Sequence, residues 1–342
     1  MAVPKADPKD QNEEIIFPER GVVRVEPCAM PAPAAGEVLI ATRATLVSTG
    51  TELTALMAAY PPDSIWQRMF PFPVRPGYDN VGEVVALGAG VAPEWLGRRV
   101  ASLQPHARFV TAAADACRPV PEEVSDQHAA FFTIAEIVMN GVRRSRLTWG
   151  EAVVVYGAGL LGQLTAQVCL QAGASTVVVV DVAASRLALL PDDPRLHPVD
   201  PREADVATVV RAVTRGRMAE VVFEVTAEPG LVVQQIGVLR EQGRLVVLSS
   251  PRGSVTIDLH DHCVAPSISI IGAHNMSHPT AATLADPWVP ERHCELFFDL
   301  VRHGVLDVDR LISERRPYVE APALYEQLQR DRSGVMGAVL RW

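Results

Sequence analysis

Two rhythms of apolar residues divide the chain. From Ile15 to about Arg118 they come in short β-like stretches broken by Pro and Gly, as at Gly21–Val25, Glu37–Thr42, Gly82–Leu87, Arg99–Ser102 and Arg108–Thr111. Turn signals that frequent predict a compact β-rich domain. The aromatic stretch between Leu56 and Pro76, with Trp66 and Phe70, has no period, and a loop of that length predicts a lid or binding wall. Residues 1–14 read as a loose tail, polar and with two prolines.

From about Ser125 the rhythm changes. Gln127–Ser145 looks helical, and Val/Ile-rich runs at Ala152–Tyr156, Thr176–Val180, Glu220–Val225, Arg244–Leu248 and Ser269–Ile271 then alternate with helical segments at Leu160–Ala172, Ala184–Leu190, Glu203–Thr214 and Pro229–Arg240. Continuous apolar runs predict strands buried on both faces of a parallel sheet, so this part reads as α/β, doubly wound. After His274 come loops with Trp288 among them, one helix near His293–His303, and a closing strand, Gly337–Arg341. That arrangement predicts residues 1–125 with 275–342 as one domain and 126–274 as the inserted one.

Composition narrows the class of function. A length of 342 residues suits two domains, and 48% hydrophobic with 21% charged residues is globular. The net charge of −9, with only Lys5 and Lys9 among the lysines, argues against a nucleic-acid partner, which needs concentrated positive charge. Five cysteines, an odd number with no C-x-x-C spacing, and no stretch resembling a signal peptide predict a reduced, cytoplasmic protein. No apolar run approaches the ~20 residues that span a bilayer, so no membrane partner is expected.

The strongest chemical signal is Gly157-Ala158-Gly159-Leu160-Leu161-Gly162, directly after the strand Ala152–Tyr156 and opening a helix. In such a turn the first glycine allows the tight bend, the second admits a pyrophosphate to the backbone, and the third lets helix and strand pack closely. Amides at the helix start attract the anion. Asp181 ends the next strand, nineteen residues after Gly162, where a carboxylate accepts ribose hydroxyls and repels a 2′-phosphate. NAD is therefore the expected cofactor. Arg186 is placed against the adenine or the phosphates, and Thr226 and Ser249, at the ends of later strands, near the ribose and nicotinamide.

Ser48-Thr49-Gly50-Thr51-Glu52, Gly77-Tyr78-Asp79-Asn80-Val81-Gly82 and the glycine turn with Asp181 together resemble the medium-chain dehydrogenase/reductase superfamily, over the chain from about Gly21 to Trp342. The resemblance implies a GroES-like β domain interrupted by a Rossmann domain, with the active site in the cleft between them. It also implies a dimer or tetramer. Zinc members hold their metal with a Cys, a His and a third Cys or Glu, and carry Gly-His-Glu-x-x-Gly. Here Ser48 stands near the cysteine position, Tyr78 replaces the histidine, Asp79 replaces the glutamate, and Glu136 aligns with the third ligand. Hydroxyl and phenol are poor zinc donors, and the structural-zinc lobe of four cysteines has no counterpart around Ala101–Cys117. No metal is expected. The Ser-Thr-Gly-Thr-Glu signature is also similar to that of the zinc-lacking bacteriochlorophyllide dehydrogenase branch.

The sequence thus predicts a zinc-independent oxidoreductase passing hydride between NAD(H) and a secondary alcohol or ketone, with a small hydroxylated substrate such as a sugar or cyclitol. Tyr78 and Glu136 are the candidate acid/base groups. Ser48, Thr51 and Asp79 orient them, and His274 is a candidate substrate ligand. A quinone or enone reductase, and a dinucleotide-binding protein with little catalysis, are the alternatives. Asp258-Leu259-His260-Asp261-His262-Cys263 looks metal-like but reads as a solvated loop.

Overall fold

The computed structural model describes residues 11–342, which fall into two compact units: one runs up to Thr133 and resumes at Phe298, the other covers Ile134–Phe297. In chain order the first carries β1 (Asn12–Ile16), β2 (Arg24–Cys28), β3 (Glu37–Val47), α1 (Thr49–Leu56), α2 (Ile65–Met69), β4 (Asn80–Leu87), β5 (Arg99–Ser102), β6 (Phe109–Ala113), β7 (Arg118–Pro119) and α3 (Asp126–Ala129). α4 (Phe132–Arg144) leads into β8 (Ala152–Tyr156), α5 (Leu160–Gln171), β9 (Thr176–Val180), α6 (Ala184–Leu187), β10 (Leu196–Val199), α7 (Val206–Val213), β11 (Ala219–Glu224), α8 (Val232–Ile236), β12 (Leu239–Val247) and β13 (Ser269–Gly272). α9 (Pro290–Arg302), β14 (Ile312–Pro317), α10 (Ala321–Arg330) and β15 (Gly337–Arg341) close the chain.

In the first unit one sheet runs β14-β15-β3-β4-β5-β7, with β6 paired to β3. The closing strand β15 lies antiparallel to β3, Ala338 opposite Val47. Ile15, Phe17, Leu53, Leu56, Leu324 and Tyr325 share a core that packs α1 and α10 together. The tail expected over residues 1–14 is corrected from Asn12 onward; its first ten residues lie outside the described ones. Asn12 is buried because its amide side chain bonds both main-chain groups of Phe109, at 3.1 and 2.9 Å. The aromatic stretch after Leu56 holds α2, on which Trp66 stacks between Tyr60 and Phe70.

The second unit is a six-stranded, all-parallel sheet ordered β10-β9-β8-β11-β12-β13. Valine-rich β8 and β9 are buried at every residue, as continuous apolar runs require. β13 departs from the expectation of burial on both faces: it is the sheet edge, and Ser269 and Ile270 are exposed. β10, LHPV, carries a proline that only an edge tolerates and that hid it in the sequence. The helix expected over Pro229–Arg240 stops at Ile236 with Gly237 as its cap, and β12 starts at Leu239. A bulge in β12, with Gln242 left-handed, shifts its register against β11 from Ala219/Leu239 to Val221/Arg244.

The unit boundaries also differ from those expected. Asp126 belongs with the first unit, held by Arg99 Nε at 2.9 Å. The segment after His274 stays with the second. Asn140 Nδ2 donates to His274 O and Ser277 Oγ, at 3.1 and 2.9 Å, and Arg143 Nε donates to His293 Nε2 at 2.9 Å.

Candidate active site

The glycine turn separates its three glycines by function. Gly157 has φ +107°, and a methyl group there would meet Val225 O at 3.1 Å. At Gly162 a methyl group would stand 1.8 Å from Gly157 O, so α5 packs against the turn only without a side chain. Gly159 is different: nothing lies within 4 Å of where its Cβ would be. It caps α5 with no side-chain hydrogen bond, and the half-buried Leu160 and Leu161 begin the helix. Their amides have no intrahelical acceptor, and the helix dipole adds positive potential. Open room beside unspent donors fits a dinucleotide pyrophosphate.

Asp181 sits beside this cradle. Its Oδ2 accepts from Ala158 N at 2.7 Å and its Oδ1 from Ala183 N at 2.8 Å, which leaves each oxygen a lone pair for a hydroxyl donor. Arg186 Nη1 stands 4.0 Å from Oδ2. Arg186 O also accepts from Gln163 Nε2 at 2.7 Å, tying this loop to α5.

Thr226 and Ser249 are drawn together by a residue the sequence reading missed, Glu224. Its carboxylate is fully buried and accepts from Thr226 N, Thr226 Oγ1 and Ala227 N at 2.7, 2.5 and 2.9 Å, and from Ser249 Oγ. The one signal in the sequence is an acid closing the otherwise apolar run Val-Val-Phe-Glu.

In the first unit, the Tyr78 hydroxyl donates to Ser48 Oγ, and Thr51 Oγ1 lies 3.4 Å away. Tyr78 is half-buried and its carbonyl accepts from Thr133 Oγ1 at 3.0 Å. Burial, and then the neighbouring carboxylate of fully buried Asp79, push the phenol well above its usual range. Beneath this contact lies a second missed group. Glu52 accepts from Ser48 N at 2.8 Å, from Tyr325 Oη, and bonds His106 Nε2 at 3.2 Å. All three side chains, Glu52, His106 and Tyr325, are buried. Around Tyr78 the donor set is a phenol and two hydroxyls, which does not fit zinc. Among the described residues no group of three or more His, Cys, Asp or Glu could hold a metal ion, the His260–Cys263 loop included.

In the second unit, Glu136 and Asn140 lie one turn apart on α4, both buried. Exposed His274 accepts from Met276 N through Nδ1 at 3.2 Å and caps the turn Asn275–Ser277. Its Nδ1 is thus engaged within the loop. Buried His278 and His293 bond each other at 2.8 Å, and Trp288 stacks on His293. Burial first, then His278, Arg143 and Arg292, lower His293 to about 3, and burial lowers His278.

Two family models match the chain: the alcohol dehydrogenase GroES-like domain over residues 34–184 and the zinc-binding dehydrogenase over 161–288. The chain is 26% identical over 318 residues to D-guloside 3-dehydrogenase of Escherichia coli (strain K12), covering 86% of this chain and 89% of that protein. Its structure is similar to 2R,3R-butanediol dehydrogenase from Bacillus subtilis, with a TM-score of 0.80, 20% identity, and coverage of 97% and 99%. A short chain alcohol dehydrogenase from E. coli CFT073, complexed with NADH, gives a TM-score of 0.79 at 16% identity, covering 97% and 99%. These two structural likenesses show the fold.

Proposed function

This chain belongs to the medium-chain dehydrogenase/reductase superfamily as an oxidoreductase acting on alcohols, and from that premise we propose a zinc-independent, NAD-dependent dehydrogenase of a small hydroxylated secondary alcohol. The observation that carries the reading is the open space at Gly159 between the unspent amides of α5 and the carboxylate of Asp181. A nicotinamide dinucleotide, when bound, supplies the hydride donor and acceptor. Asp181 favours NAD(H), since its charge would face a 2′-phosphate across a short distance.

The chain's own residues handle the proton. Tyr78, kept protonated by burial and by Asp79, turns its single O–H from Ser48 Oγ to the substrate oxygen and delivers that proton when a ketone is reduced, leaving a phenolate that solvent reprotonates. In the alcohol-to-ketone direction the ionised form is required: the Tyr78 phenolate takes the alcohol proton as hydride leaves the carbon, and returns to the phenol. Ser48 and Thr51 hold the hydroxyl in place, and Glu136 is the second proton-carrying candidate. The kinship with a guloside dehydrogenase supports a polyhydroxylated substrate. The test is reduction of NAD and of NADP across polyols, sugars and simple secondary alcohols, using protein purified without chelators and assayed for metal. Stoichiometric zinc, or turnover restricted to quinones and enones with NADPH, would overturn the reading.

A further inference from the structure

We infer that Glu224 is a positioning residue that clasps the two loops facing the nicotinamide end of the cofactor, and so governs affinity for that half of the molecule alone. The inference rests on the dinucleotide reading above.

Glu224 closes β11, where every other residue but Glu220 is buried and apolar or small. No cationic side chain pairs with it among the described residues. Its oxygens are instead occupied by loop donors. Oε1 accepts from Thr226 N, Thr226 Oγ1 and Ala227 N, and Oε2 from Ser249 Oγ. Its carbonyl takes Leu248 N and Ser249 N, both at 3.1 Å. Ala227 N also reaches Ser249 Oγ at 3.1 Å, closing a ring across the ends of β11 and β12. Ala227 is held left-handed at φ 63°, a conformation that costs a residue with a Cβ and that these bonds sustain. A buried carboxylate is costly unless fully bonded, and charge-assisted bonds are the stiff ones. The loops are therefore fixed before any ligand arrives.

Sheet order tells what the loops face. β8 lies between β9 and β11, so the glycine turn after β8 stands between Asp181, after β9, and Glu224, at the end of β11. A dinucleotide with its adenosine ribose on Asp181 and its pyrophosphate on the turn continues over β11 and β12. Val225, next to Glu224, backs directly onto Gly157, so the clasp begins where the cradle ends. The Thr226 hydroxyl is used twice over, donating to Glu224 and accepting from Glu228 N at 3.0 Å. It serves the loop's shape.

The experiment compares ADP, which carries only the adenine half and phosphates, with NADH. Calorimetric binding to the full chain is measured for wild type, Glu224→Gln and Ser249→Ala, with melting temperatures alongside. Loss of a buried charge-assisted bond predicts about tenfold weaker NADH binding for Glu224→Gln, with ADP within about twofold of wild type. Ser249→Ala, which keeps the Glu224–Thr226 turn, should show the same selectivity at about threefold. Equal losses for ADP and NADH, or no loss for either, overturn the assignment. A wild-type chain that binds neither overturns the dinucleotide reading, and this inference with it.

Discussion

The His106 imidazole lies directly beneath Gly77: a methyl group at position 77 would stand 2.7 Å from His106 N and 2.9 Å from the ring. Gly77 also has φ +101°. The same ring bonds Glu52, which holds Ser48 N, so one histidine supports both segments that meet at the Tyr78–Ser48 contact. Gly77→Ala should therefore lower stability by about 1–3 kcal/mol, the scale of a strained backbone position, and reduce kcat in the protein that still folds. Chemical denaturation and single-turnover kinetics check it.

Tyr78→Phe should lower kcat by about 10²- to 10⁴-fold, the range of a lost general acid, with NADH affinity unchanged. Glu136→Gln tests the second candidate in the same assay. Because the phenol titrates above its usual range, it stays protonated at ordinary pH. The Tyr78-dependent part of the reduction rate should then be flat from pH 6 to 9. An acidic or basic limb in that window that vanishes in the Phe variant would assign the proton elsewhere.

The three glycines of the turn should fail in different ways. Gly162→Ala drives a methyl group into Gly157 O and should lower the melting temperature. Gly159→Ala enters open space and should leave melting near wild type while weakening NADH binding at least about tenfold, because it takes up the room left for the phosphates. Equal effects on both readouts would deny the cradle its assigned ligand.

Asp181→Asn removes the charge and keeps an oxygen for Ala158 N or Ala183 N. The KM for NADPH relative to NADH should fall by about tenfold or more, on the scale of one repulsive contact removed. An unchanged ratio would show that Asp181 does not select the dinucleotide.

His278 and His293 set an acid limit. Their folded pKa values are lowered, His293 to about 3, while the unfolded chain binds protons near the ordinary histidine value. The unfolded state thus holds more protons as pH falls from about 6.5 toward 3, and stability drops over that interval. Arg143 and Arg292 oppose protonation there, with Asp286 and Glu291 acting the other way. His293→Gln should lose less melting temperature than wild type between pH 7 and 4.

What was legible in the sequence was local. The glycine turn, its strand and Asp181 lie within thirty residues of one another, and apolar runs and turn residues announce them without knowledge of the fold. Tyr78 and Ser48 were readable one by one, through the family motifs that carry them. The scaffolding was not, because its partners are remote: Glu52 meets His106 54 positions on and Tyr325 273 positions on. Glu224 was hidden differently. A single acid at a strand end looks like a strand terminator, and only the closed loops reveal what its charge holds. The misplaced boundary near His274 has a similar cause, since Asn140 and Arg143 bind a segment more than 130 residues downstream.

The bond from Tyr325 to Glu52 has a consequence for biosynthesis. The Glu52 carboxylate on α1 finds its full set of donors only after Tyr325 on α10, 273 positions on, has been translated. During synthesis the support beneath the Ser48–Tyr78 contact is therefore completed only once α10 emerges, long after the residues of the glycine turn have been made.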